Sequence, residues 1–93
     1  MSSIKIEYSI EYTSYFKKQY KKIIKNNVIL EKRIDTALRK LGDNPELVSH
    51  KIVDTIWSCR VTGDIRILWE YKEGEITLLL LKIGGHSGGN SVY

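Results

Sequence analysis

The chain has 93 residues, with fifteen Lys and Arg against eleven Asp and Glu, a net charge of +4 and a pI near 9.2. That length makes one domain able to take only about 60–65% of the unfolded surface out of water, which excludes a second core, and the basic balance favours an anionic partner, nucleic acid or an acidic protein. A single cysteine, Cys59, excludes an internal disulfide; no apolar run reaches the roughly 18–20 residues that span a bilayer, and MSSIKIEYS lacks an apolar signal core, so a soluble, cytoplasmic protein with no membrane partner is expected.

Ile4 to Tyr8 alternates apolar and polar residues and predicts a first strand. A helix is predicted from Ser9 or Ile10 to Lys25. Its Tyr12, Phe16, Tyr20 and Ile23 share one face, while Lys17, Lys18, Lys21, Lys22 and Lys25 form an opposing cationic stripe that no carboxylate interrupts between Tyr12 and Leu30. Two readings of that stripe stand: an ordinary solvated face, or a rail for phosphate backbone that binds without sequence preference. Asn26-Asn27 ends the helix, and Asn27 is placed to cap a second one over Val28 to Leu41, with Leu30, Ile34, Ala37, Leu38 and Leu41 inward and Glu31, Lys32, Asp35, Arg39 and Lys40 outward. Gly42 and Asp43-Asn44-Pro45 stop it.

A short strand around His50 to Val53 then leads into Trp57 to Tyr71, two strands about a turn at Thr62-Gly63-Asp64. A two-residue loop would set Arg60 across from Ile67 and Val61 across from Arg66, mixing charge and apolar residues on both faces. An odd loop, such as three residues with a bulge at the glycine, pairs odd with odd. Trp57, Cys59, Val61, Ile65, Ile67, Trp69 and Tyr71 then make one apolar face, and Ser58, Arg60, Arg66 and Glu70 the other. Two guanidiniums on one wall suit a bound phosphate or carboxylate; the alternative is that they are solvated or paired with Glu70 and Asp54. The last strand, Glu75 to Ile83, carries Leu78 to Leu81 consecutively and is expected to be central and covered on both faces. Residues 84–93 form a glycine-rich closing segment containing His86 and Tyr93. The order is strand, helix, helix, four strands: one α+β domain over 1–93, with both helices on one face of a mostly antiparallel sheet.

The helical hairpin, Leu47-Val48-Ser49-His50-Lys51-Ile52, Trp57-Ser58-Cys59-Arg60-Val61, Gly63-Asp64-Ile65-Arg66-Ile67-Leu68-Trp69 and the closing Gly85-His86-Ser87 together resemble the RelE/ParE superfamily of bacterial and archaeal toxins. The likeness spans nearly the whole chain and is most similar to the members that cut mRNA with histidines. It implies a RelE-like fold, ribosome-dependent mRNA cleavage, neutralisation by a cognate antitoxin, and no cofactor. Residue by residue, it gives Arg66 the phosphate-stabilising role, His86 the catalytic histidine after the last strand, His50 and Lys51 the basic pair before the hairpin, Arg60 a further basic position and Tyr93 the C-terminal aromatic. Some relatives also carry a hairpin carboxylate, for which Val61 to Ile67 offers only Asp64.

Cleaving RNA without a metal needs a base for the 2′-OH, positive charge for the phosphorane and an acid for the leaving 5′-oxygen. Histidine suits either proton role and arginine the charge role, and no carboxylates show metal-ligand spacing. His86 is assigned as acid and His50 as base; the plain alternatives are a loop histidine and a polar strand-entry residue. Trp57 and Trp69 read as core, and Tyr93 as a candidate for base stacking. Two other functions fit the same resemblance: a ParE-like inhibitor of DNA gyrase, and a non-catalytic member that binds RNA or the antitoxin.

Overall fold

The structure is a computed structural model that describes residues 7–85. Ile4, Lys5 and Ile6 of the predicted first strand, and His86 and Tyr93, lie outside the described residues. The elements are β1 (Ser9–Tyr12), α1 (Ser14–Ile24), α2 (Val28–Asp43), β2 (Ser49–Val53), β3 (Ile56–Arg60), β4 (Ile65–Tyr71) and β5 (Thr77–Gly85). One sheet runs in the order β1-β5-β4-β3-β2, antiparallel throughout except for the parallel pairing of β1 with β5. It is the α+β, RelE-like arrangement expected. No helix among the described residues is long and apolar enough to cross a membrane.

The N-terminal boundaries differ from expectation. Glu7 and Tyr8 lie outside any strand, and β1 begins at Ser9, where a helix was predicted. The cause is Thr13. Its extended backbone (φ −73°, ψ 159°) ends β1, its hydroxyl accepts from Phe16 N–H at 3.1 Å to cap α1, and the same oxygen lies 2.9 Å from the Leu80 carbonyl. Ser9 to Tyr12 thereby aligns with Thr77 to Leu80. The Tyr12–Phe16 spacing that suggested one helix instead brings the two rings to 5.4 Å across the strand-to-helix junction.

The later elements follow the sequence closely. Asn26 takes a left-handed backbone (φ 57°) between the helices, and Asn27 Oδ1 accepts from Leu30 N–H at 3.1 Å as the predicted cap. α2 continues two residues past Leu41 and buries Ile34, Ala37 and Leu41. Ile34 and Leu41 meet Phe16 and the sheet residues Cys59, Ile67, Trp69, Leu78, Leu80 and Ile83 in one core. Trp69 is fully buried, stacks on Trp57 at 5.5 Å and donates its indole N–H to Ser49 Oγ at 3.0 Å. Truncating it to alanine costs about 3–5 kcal/mol.

β5 is interior, between β1 and β4, while β4 holds the centre. Leu78 and Leu80 are fully buried, and Leu79 and Leu81 are half-buried. Leu68 pairs with Lys82 and Trp69 with Leu80, so Leu81 is an extra residue bulged out of the ladder. The bulge switches the core-facing side of β5 from Leu78 and Leu80 to Ile83, keeping Ile67 and Ile83 together. Gly84 and Gly85 are buried strand residues rather than part of a closing loop, which carries β5 to a position alongside Arg66.

Candidate functional site

The β3–β4 register is the odd-with-odd one: Trp57 opposite Trp69, Ser58 opposite Leu68, Cys59 opposite Ile67 and Arg60 opposite Arg66. The loop closes differently from the expected glycine bulge. Gly63 has no left-handed backbone, and the Thr62 hydroxyl accepts from Asp64 N–H at 3.2 Å and Ile65 N–H at 3.0 Å, while Val61 N–H reaches the Ile65 carbonyl at 2.9 Å. Because Val61 and Ile65 share a backbone hydrogen bond, the next pair, Arg60 and Arg66, is of the closely spaced kind, about 4.5 Å between Cα atoms.

By register both arginines fall on the face opposite Cys59 and Ile67, and Arg60, at the end of β3, also borders a cleft beside α2. Arg60 is exposed and Arg66 half-buried. Among the described residues, the buried Nη1 of Arg66 has no hydrogen-bond partner and neither arginine forms an ion pair. Glu70, the carboxylate on the same face, accepts from Thr55 Oγ1 at 3.0 Å instead. On the β5 side, Arg66 lies opposite Gly84, which adds no side chain there. The wall is not wholly polar, since Leu68 is buried within it opposite Ser58. A guanidinium nitrogen so placed leaves donor capacity unused beside a second cation, and an oxyanion satisfies both deficits.

His50 lies opposite Ser58, on the arginine face, and is exposed. Strand spacings put its Cα roughly 8 Å from that of Arg60 and about 12 Å from that of Arg66, within reach of one phosphodiester for side chains of this length. Lys51 goes the other way. It lies opposite Trp57 with Nζ 6.0 Å from that ring, so the pair read together in the sequence divides between the two faces, as neighbours in a strand must. Lys17, Lys18, Lys21, Lys22 and Lys25 are exposed along α1, and none forms an ion pair among the described residues. α1 borders β5, where Gln19 Oε1 accepts from Ile83 N–H at 3.0 Å, so β5 separates the lysines from the arginine pair.

Cys59 is buried on the core face, and burial pushes its thiol pKa up, so it reads as a packed hydrophobe rather than a nucleophile. Among the described residues, no three of His, Cys, Asp and Glu are grouped to hold a metal ion. One feature was not evident from the sequence: Lys32, Arg33 and Lys40 line a cleft between α2 and the end of β3. Their i, i+1, i+8 spacing, interleaved with Ile29 and Ala37, was the available signal.

A family model described as the ParE toxin of type II toxin-antitoxin systems, parDE, matches residues 10–88. None of the curated proteins compared with the sequence matches it. Among solved structures, the fold is similar to the toxin-antitoxin complex RelBE2 from Mycobacterium tuberculosis (TM-score 0.71, 19% identity, 86% of this chain and 99% of that one). It is also similar to the YoeB/ParE toxin from Agrobacterium tumefaciens (TM-score 0.69, 16% identity, 85% and 99%) and the YoeB dimer from Staphylococcus aureus (TM-score 0.67, 15% identity, 87% and 99%). At these identities the likeness is one of fold.

Proposed function

Because this chain belongs to the ParE toxin family of type II toxin-antitoxin systems, we propose that it is a toxin acting as a ribosome-dependent, metal-independent mRNA endonuclease, held inactive by a cognate antitoxin. The observation that carries this reading is the Arg66 Nη1 left without a partner among the described residues, beside Arg60, with His50 on the same wall. Arg66 and Arg60 hold the non-bridging oxygens of the scissile phosphate and offset the charge that builds in the phosphorane. His50 accepts the 2′-OH proton as the 2′-oxygen bonds to phosphorus. The bond from phosphorus to the 5′-oxygen breaks, and that oxygen takes a proton from His86, the residue after Gly85 in the chain. The products are a 2′,3′-cyclic phosphate and a 5′-OH. Lys17, Lys18, Lys21, Lys22 and Lys25 attract the ribosome's RNA, Tyr93 stacks on a base, and Lys51, on the other face, contributes only to the general positive field.

The family's description favours a second reading, a ParE-like inhibitor of DNA gyrase. Brief induction in cells separates the two. Codon-registered new mRNA 5′ ends that vanish in His86→Ala support the nuclease. DNA damage with intact mRNA moves the protein to the gyrase reading, and the absence of any growth effect moves it to a non-catalytic binding role.

A further inference from the structure

The cleft between α2 and the end of β3 has a volume of about 410 Å³. One wall is a single stripe of α2: Ile29, Lys32, Arg33, Thr36, Ala37 and Lys40, spaced so that all six face the same way. The opposite wall is Cys59, Arg60 and Val61, with Val48 between. Among the described residues, no carboxylate lines it. Lys32, Arg33 and Lys40 are exposed and unpaired among the described residues, while the α2 carboxylate Asp35 lies on another side of the helix, 3.6 Å from Arg39. Ile29, at one wall of the cleft, is 72% exposed.

We propose that this cleft is where an acidic, amphipathic segment of the cognate antitoxin docks. The assignment rests on the reading of the chain as a toxin with such a partner, and not on which target the toxin attacks. Charge complementarity selects an anionic occupant, since three uncompensated cations stand on one helix face. The apolar half of the cleft then selects protein over nucleic acid: a phosphate backbone would meet the cations but leave Ile29, Val48 and Val61 without apolar contact, whereas a helix with leucines and glutamates at i and i+3 or i+4 meets both. The occupant would lie against Arg60 and Val61, at the end of the hairpin that carries the arginine pair, so binding there couples to the phosphate wall without filling it.

The test is the affinity of the purified full chain for its antitoxin, read by calorimetry. The triple variant Lys32→Glu, Arg33→Glu, Lys40→Glu is expected to lose at least about tenfold in affinity, with its unfolding transition unchanged because all three side chains are exposed. Ile29→Ser should also weaken binding, which a purely electrostatic nucleic-acid surface would not register. Unchanged affinity in the triple variant overturns the proposal, and so does a triple-variant loss that Ile29→Ser fails to accompany. Antitoxin affinity is measured whatever the toxin's target, so intact mRNA in cells would remove the endonuclease reading and leave this result standing.

Discussion

Arg60 and Arg66 face each other across the β3–β4 ladder, and one guanidinium nitrogen of Arg66 is buried without a hydrogen-bond partner among the described residues. A pairing of like charges beside an unmet donor costs the folded state about 1–3 kcal/mol for the donor alone. Residues that serve only stability are not arranged this way, whereas a site awaiting an anion is. Arg66→Ala is therefore expected to move two quantities in opposite directions: cleavage of translated mRNA falls by about 100-fold or more, and the urea midpoint stays level or rises. Arg66→Lys keeps the charge but loses the two-pronged geometry, and should recover only a small part of the activity.

Thr13 joins strand, helix and sheet through one hydroxyl, bonded to Phe16 N–H and the Leu80 carbonyl. Thr13→Ala should destabilise the fold by about 1–2 kcal/mol, and Thr13→Ser should restore most of it. Chemical unfolding of the three proteins checks this, with no difference between alanine and serine as the contrary result.

The two hairpin glycines should respond differently to alanine. At Gly63 an added Cβ meets nothing within 4 Å, and the loop is closed by Thr62, so Gly63→Ala is expected to be neutral to within about 0.5 kcal/mol. Gly74 has φ +76°, and Gly74→Ala should cost about 1 kcal/mol. Thermal unfolding distinguishes them.

Tyr71 donates to Glu46 Oε2 at 2.5 Å, and burial, then that hydrogen bond and the carboxylate's charge, raise its pKa above the ordinary 10.0. The fold favours the neutral phenol, so this contribution is complete below pH 10.0 and is lost as pH rises toward the folded value. Tyr12 and Tyr20 are raised in the same direction by burial and by Asp35, and Lys72 is raised by Glu11. All three remain in Tyr71→Phe, so the stability of that variant should fall less steeply above about pH 10 than that of the parent, the difference isolating Tyr71. Parallel slopes would contradict the assignment.

The parts of this fold legible in the sequence are those set by local pattern. Alternation around Thr62-Gly63-Asp64 was enough to reject an even loop, and with it came the arginine pair and the buried Cys59, Ile67 and Trp69. Asn27 as a cap was equally visible. What escaped depends on distant chain. Ser9 to Tyr12 becomes a strand because β5 offers a parallel edge some seventy residues on, and Tyr12 and Phe16 also satisfy helical spacing. That His50 and not Lys51 takes the arginine face follows from the pairing of β2 with β3, and that register was not fixed by the residues of β2 alone. The cationic stripe of α2 looked like a solvated face until the end of β3 supplied its opposite wall.

The most direct measurement is cleavage by the purified chain of a defined mRNA on a programmed ribosome, with 5′ ends mapped by primer extension. The account predicts cuts at a fixed position relative to the codon, in the presence of a metal chelator, absent on free mRNA and reduced about 100-fold or more in Arg66→Ala. Intact mRNA with wild-type protein, or equal cutting by Arg66→Ala, would contradict it.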